Sequence, residues 1–306
     1  QTANISRYPD KKCLTLREVL AGHYQVSASQ LLAGNGTAEL LWLIAFAFLK
    51  RNDPVLILEP TFGEYGRFAR LMGAKVVEWR ARAGHQFIVD LEAVERQLEK
   101  IQPPLVHWCS PNNPTGQLIE NDVLHRWANQ FPETIFVIDE AYAQFLPNFQ
   151  SAIQLDLPNV IVLRSLTKDY SLAGIRLGVL FAQESIVRGL GKGQPPWSVN
   201  GLAQAAGVAA IESQDEYANM WTRLAKEADQ FKSGLQNLGY QIGTTPMHYF
   251  LMDVVNGRLF RQTLLKHGIL VRLCESYQLP NYVRISTQTP DENGRFLRVL
   301  GEEAKR

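Results

Sequence analysis

Apolar residues along this chain keep two periods. Largely apolar runs at 54–60, 105–109, 134–139, 159–163 and 179–182 predict buried strands, and further strands are expected at 74–79 and from Leu31 to the glycine turn at 34–36. Between them the apolar positions fall three or four apart. Leu16, Val19, Leu20 and Tyr24 predict a helix over 14–24, and Asp90 caps another over 90–98. Residues 40–49 are apolar on every side and predict a buried helix, and 61–66 open a helix at the exit of the 54–60 strand. A glycine-rich turn is expected after 182, then a small-residue helix over 201–211 and a long amphipathic helix over 212–238 stopped by Gly239. Strands alternating with helices predict an α/β fold, with a mostly parallel sheet between helices.

Beyond Gly239 the pattern becomes that of a smaller α+β lobe. Strands are expected near 249–254, 269–273 and 282–285, and helices over 258–267 and 290–300. Residues 1–25 are expected to join this lobe. The division is then a large domain, 26–212, and a discontinuous small domain from 1–25 and 213–306. The sequence opens on Gln1 with neither an initiating methionine nor a signal peptide, which reads as a trimmed terminus.

Composition narrows the classes. The 306 residues are 46% hydrophobic and 20% charged, which suits a soluble globular protein with one large core and a second lobe. A formal net charge of +1 gives no basic face for nucleic acid or an anionic membrane, and no window approaches the roughly 18 apolar residues of a span. Cys13, Cys109 and Cys274 are far apart and odd in number, so neither a disulfide framework nor a metal site is expected. The six histidines show no ligand spacing. A reducing, cytoplasmic compartment follows as the expectation.

The chemistry gathers where strands end. After the 159–163 run come Ser165, Thr167 and Lys168, with Arg176 eight residues on between Gly174 and Gly178. One amine able to bond a carbonyl, beside hydroxyls and a guanidinium able to hold a phosphate, is the donor set that pyridoxal 5'-phosphate requires. Gly34 and Gly36 permit a tight turn, Thr37 is placed to cap the next helix, and the Thr37 and Ala38 amides would face an anion. Asn113 follows the 105–109 strand in an Asn-Asn-Pro-Thr-Gly turn, where its amide can donate to the cofactor's phenolic oxygen. Asp139 ends the 134–139 strand and Tyr142 follows it. A carboxylate there can keep a pyridine nitrogen protonated while Tyr142 bonds the phenolic oxygen. Alone, Asp139 reads better as a helix cap, and Lys168 equally well as a loop lysine.

With Asn113, Asp139, Tyr142, Lys168 and Arg176 in this order, the chain resembles the fold-type I aminotransferase superfamily of pyridoxal-phosphate enzymes over nearly its whole length. The resemblance implies a large cofactor-binding domain and a homodimer with shared sites. In it Arg7-Tyr8-Pro9 crosses to the neighbouring subunit, where Tyr8 touches the cofactor phosphate. It also implies that the ring of Tyr65 stacks on the cofactor, with Phe62 as the other aromatic in place. Arg272 and Arg284 would grip the carboxylate and phosphate of a small phosphorylated amino acid. An acid often follows the first of these arginines in the family, whereas Leu273 stands here.

Two branches of the superfamily are similar to the chain: threonine-phosphate decarboxylases of cobalamin biosynthesis and histidinol-phosphate aminotransferases. The Ser165-to-Lys168 motif, the 59–65 segment and the Trp197-to-Asn200 run resemble the decarboxylases. Ala173, where proline is usual, and the lack of their amino-terminal stretch lean away from them. Decarboxylation of O-phosphothreonine is the expectation, with transamination as the alternative. A regulator built on such a domain would need a DNA-binding module, for which the chain has neither spare residues nor a basic face.

Overall fold

A computed structural model of the chain describes residues 6–303. The strands of the large domain are β1 (Leu31–Asn35), β2 (Pro54–Glu59), the part-exposed edge strand β3 (Lys75–Arg80), β4 (Leu105–Cys109), β5 (Ile135–Asp139), β6 (Val160–Ser165) and β7 (Leu177–Phe181). They form one sheet in the order β1-β7-β6-β5-β4-β2-β3. Only β7 runs antiparallel to its neighbours, so the fold is α/β with a mostly parallel sheet. The carboxyl ends of β2, β4, β5 and β6 therefore lie along one edge, the side on which such sheets hold ligands.

Both sheet faces are covered. The helices α1 (Leu14–Tyr24), α2 (Thr37–Phe48), α3 (Glu64–Leu71), α4 (Leu91–Ile101), α5 (Asn121–Gln130), α6 (Leu166–Asp169), α7 (Glu184–Gly193), α8 (Gly201–Glu212) and α9 (Gln214–Asn237) follow in chain order. Leu56, Val106, Phe136 and Val162 face the layer of α1, α4, α5 and α8. Val55, Ile57, Val137, Ile161 and Leu163 face α2, α3 and α7. The adjacent numbers show why these strands read as unbroken apolar runs: alternate residues serve opposite layers.

The smaller lobe is a three-stranded antiparallel sheet, β8 (Tyr249–Asp253), β9 (Arg272–Leu273) and β10 (Tyr282–Ser286), in the order β8-β10-β9. α10 (Gly257–Lys266) and α11 (Pro290–Glu303) accompany it. α9 joins the lobes: its Trp221 lies in the large core, while Phe231 and Leu235 lie in the small one.

Four expectations need correction. Of residues 1–25, the first five lie outside the described residues, and α1 packs on the large domain rather than the small lobe. Leu16, Leu20, Ala21 and Tyr24 share the core of Leu177 and Ala203. Gly207 of α8 makes this possible, because a Cβ there would lie 2.7 Å from a Leu16 methyl. The turn expected after 182 is helix α7, in which burial of Val187 and Leu190 outweighs the cost of about 1 kcal/mol for each interior glycine. Thr37 does not cap α2. The cap is Gly36, at φ 74° and ψ 165°, a conformation that leaves no side chain to accept the free amides. The strand expected over 269–273 is only the two residues of β9, since Ile269 turns into the small core.

Candidate active site

Three loops at the carboxyl edge of the sheet build the floor of the site. Asn112 ties the first two together: its Nδ2 donates to Pro60 O at 2.8 Å and Thr115 Oγ1 at 2.9 Å, and its Oδ1 accepts from Thr61 Oγ1 at 2.7 Å. This knot fixes Asn113, 7% exposed, beside the end of β5. There Asp139 is buried, with Oδ2 accepting from the Tyr65 hydroxyl at 2.7 Å and Oδ1 from the Ala141 amide at 3.0 Å. Burial pushes the carboxyl above its ordinary value, and the Tyr65 hydrogen bond is the first influence against that rise. Behind it Glu140 pairs with Arg164 at 3.2 Å, both almost fully buried, and locks the ends of β5 and β6.

From β6 the chain delivers Ser165, Thr167 and Lys168. The two hydroxyls share a hydrogen bond of 2.6 Å, and Lys168 Nζ donates to Thr167 at 3.3 Å. Burial lowers the basicity of the lysine, while Asp139 opposes that shift. Arg176 stands in the left-handed region at φ 64° and reaches the Gly36 turn. A Cβ on Gly36 would sit 2.8 Å from the Arg176 guanidinium, and one on Gly178 would sit 2.5 Å from the Thr37 amide nitrogen. Only glycines let these donors converge.

That cradle fits the phosphate of pyridoxal 5'-phosphate. It combines a guanidinium, two hydroxyls and the Thr37 and Ala38 amides, which as the first of a helix have no intrahelical acceptor. The rest of the donor set fits the ring. Lys168 supplies the amine, Asp139 a buried carboxylate, and Tyr142, whose ring lies 6.0 Å from Lys168 Nζ, has no hydrogen-bond partner for its hydroxyl among the described residues. Burial pushes that hydroxyl up, so it stays a donor.

The small lobe closes the site from above. Arg284 NH1 donates to Asn113 Oδ1, and the Tyr277 hydroxyl donates to the same oxygen at 3.2 Å. The Arg284 guanidinium lies over the Tyr249 ring at 5.6 Å, and Tyr249 packs on Tyr142 at 4.8 Å. Arg284 has no carboxylate partner among the described residues. Arg272 is its cross-strand neighbour but is exposed, and among the described residues its guanidinium bonds only Ser276, at 3.1 Å. Beside Lys168 opens a cavity of about 660 Å³ walled by both lobes, including Trp221 and Thr287, a volume suited to a small molecule.

The structure thus brings Gly36, Thr37, Asn113, Asp139, Tyr142, Ser165, Thr167, Lys168, Arg176 and Arg284 together, with Ala38 in the same first turn of α2. Tyr8 is 79% exposed and stacks on Trp197 at 4.6 Å. Tyr65 departs from expectation. Its ring is 1% exposed and lies flat on His107 at 4.9 Å, and its hydroxyl is spent on Asp139, so it has no free face for a cofactor. Phe62, half-buried and edge-on to Tyr65 at 5.7 Å, is the aromatic left for stacking. The expected consequence is that Tyr65→Phe, which keeps the ring, lowers kcat about tenfold by removing a hydrogen bond to a charged group. Steady-state rates at saturating cofactor check this, and unchanged turnover would return Tyr65 to a packing role.

Tyr277, Tyr249 and the Glu140–Arg164 pair were not legible as site residues. Tyr277 stands in a short turn with no motif, and its partner Asn113 is 164 residues away. The pairing of Glu140 with Arg164 was foreshadowed only by two charges beside apolar strands, where an unpaired charge is costly.

Comparison with known proteins places this geometry. The family "Aminotransferase class I and II" matches residues 1–300. A histidinol-phosphate aminotransferase of Symbiobacterium thermophilum is 35% identical over 97% of this chain and 82% of its own length. The crystal structure of an L-threonine-O-3-phosphate decarboxylase from Porphyromonas gingivalis superposes with a TM-score of 0.86 and 25% identity, covering 99% of this chain and 92% of that one. The histidinol-phosphate aminotransferase of Sinorhizobium meliloti, solved in complex with pyridoxal-5'-phosphate, superposes with a TM-score of 0.89 at 23% identity, over 98% and 83% of the two chains. Among the described residues no helix is long and apolar enough to cross a membrane, and no group of acidic, histidine or cysteine side chains is placed to hold a metal.

Proposed function

Because the chain belongs to the class I and II aminotransferase family and is a pyridoxal-phosphate-dependent enzyme, we propose that it is a transaminase acting on histidinol phosphate or a close phosphorylated amine. The observation that carries this reading is the 35% identity, over nearly the whole chain, to a relative named for that reaction. It replaces the expectation of decarboxylation, which rested on short motifs around Lys168 and Trp197. The arginine geometry agrees with the change. Arg284 alone is drawn into the site, and exposed Arg272 does not form with it a preset two-anion grip. Arg284 then serves the carboxylate of an amino-acid co-substrate such as glutamate, and stands idle toward an amine that has none.

The residues divide the work as follows. Bound in the cradle, the cofactor supplies an electron sink for the pair left at the substrate's reacting carbon. Lys168 would hold the cofactor through its amine, and its lowered basicity makes it a readier proton acceptor and donor than a free lysine is at ordinary pH. Asp139, whose anionic form the Tyr65 and Ala141 hydrogen bonds favour against burial, would hold a proton on the ring nitrogen. Asn113 and Tyr142 would donate to the phenolic oxygen, and Ser165, Thr167, Arg176 and the α2 amides would hold the phosphate. Exposed Tyr8, stacked on Trp197, supports a homodimer in which it completes the partner's phosphate site.

Incubation with histidinol phosphate and 2-oxoglutarate should form glutamate. O-phosphothreonine alone should release no carbon dioxide. The reverse pattern would revive the decarboxylase reading, which the superposition at 0.86 keeps in view. Arg284→Gln is expected to raise KM for glutamate about 10²-fold, the value of a charge-assisted carboxylate contact, and to leave KM for histidinol phosphate within about threefold. Equal losses for both substrates would refute its role as carboxylate receptor.

A further inference from the structure

Two donors meet on one oxygen of Asn113. The Tyr277 hydroxyl reaches Oδ1 at 3.2 Å, and Arg284 NH1 donates to the same atom. A guanidinium can only donate, so the atom facing it must be the amide oxygen. The amide's Nδ2 is thereby turned the other way, where no protein acceptor meets it among the described residues. A flipped amide would set its own donors against Arg284.

If Arg284 also receives a carboxylate, its donors are shared between that anion and the Asn113 oxygen. Tyr277 has no such second duty. Its ring is 7% exposed and packs with Ala81, Phe87, Leu251 and Cys274, drawn from both lobes. Its backbone is held as well: the carbonyl accepts from Arg80 NH1 at 3.0 Å and the amide donates to Cys274 O at 2.9 Å. Arg80 is in turn steadied by Glu78 at 3.0 Å. Among the described residues, a hydroxyl fixed this firmly from both lobes has only Asn113 as its partner.

We propose that Tyr277 is a positioning residue: its hydroxyl keeps the Asn113 amide oriented with Nδ2 toward the cofactor's phenolic oxygen while Arg284 is engaged by the substrate's carboxylate. This rests on the reading of Asn113 and Arg284 given above. A donor stabilises the deprotonated phenolic oxygen, and a wandering amide stabilises it less. The pH at which the visible band of the bound cofactor titrates must then rise.

The test is a spectrophotometric titration of the holoprotein, with Tyr277→Phe beside Asn113→Ala. Tyr277→Phe keeps the packed ring, so its thermal midpoint without cofactor should match the parent. Its titration midpoint should rise by about 0.5 to 1 pH unit, one neutral hydrogen bond's equivalent, and cofactor Kd should weaken about threefold or more. Asn113→Ala should move the midpoint in the same direction by at least as much. A shift in Asn113→Ala with none in Tyr277→Phe would overturn the role of Tyr277 and leave Asn113 facing the cofactor. No shift in either variant would overturn the underlying reading of Asn113 and the inference with it.

Discussion

Lys168→Ala is expected to abolish turnover, lowering kcat on the order of 10⁴-fold or more, since one side chain is asked both to hold the cofactor covalently and to move the substrate's proton. Its surroundings explain the double use. Nζ sits between Thr167 at 3.3 Å and the ring of Tyr142 at 6.0 Å, and burial makes it less basic than a free lysine. The variant should still bind the cofactor through the Ser165, Thr167 and Arg176 cradle, without a bond that borohydride can trap. Reduction of the parent protein followed by peptide mapping should put the pyridoxyl mass on the peptide containing Lys168. The mass on another lysine, or a variant with measurable fractions of the parent rate, would remove Lys168 from the centre of the site.

The second large effect is expected at Asp139. Asp139→Asn preserves shape, and its one amide oxygen can still accept from Ala141 while Nδ2 donates to the Tyr65 hydroxyl oxygen. The amide cannot hold a proton on the ring nitrogen as a carboxylate does, so the electron sink weakens and kcat should fall by about 10²-fold or more. Burial already pushes this carboxyl toward its neutral form, and the Tyr65 and Ala141 bonds oppose that push. Far-ultraviolet circular dichroism and cofactor content should match the parent while single-turnover rates fall. A variant with full cofactor and near-normal rates would show that ring protonation does not depend on this residue.

How much of this was legible beforehand depended on whether a feature was local. Strands β2 and β4 to β7 announced themselves because each is buried on both faces and therefore unbroken in its apolar pattern, as in Val160 to Leu163. The convergence of Lys168, Asp139, Asn113 and Arg176 at one edge was legible because strand ends present their side chains there, and strand ends can be read from sequence. The failures were tertiary. Tyr65 reads as an exposed aromatic at the start of a helix, but its orientation depends on His107 and Asp139, 42 and 74 residues away along the chain. Residues 14–24 carry an apolar stripe that does not say which lobe it faces; Gly207 decides that by admitting Leu16. α7 was hidden by its glycines, whose local cost is overruled by the burial of Val187 and Leu190. Tyr277 carried no local signal at all.

The choice between transamination and decarboxylation is the least local feature, because it would follow from how Arg284 and its neighbours orient a bound substrate. The most direct measurement supplies the cofactor-loaded protein with glutamate alone and quantifies both products in a single turnover. Transamination predicts one equivalent of 2-oxoglutarate per site, conversion of the cofactor to its amine form, and no carbon dioxide. Release of carbon dioxide with the cofactor left in its aldehyde form would contradict the account.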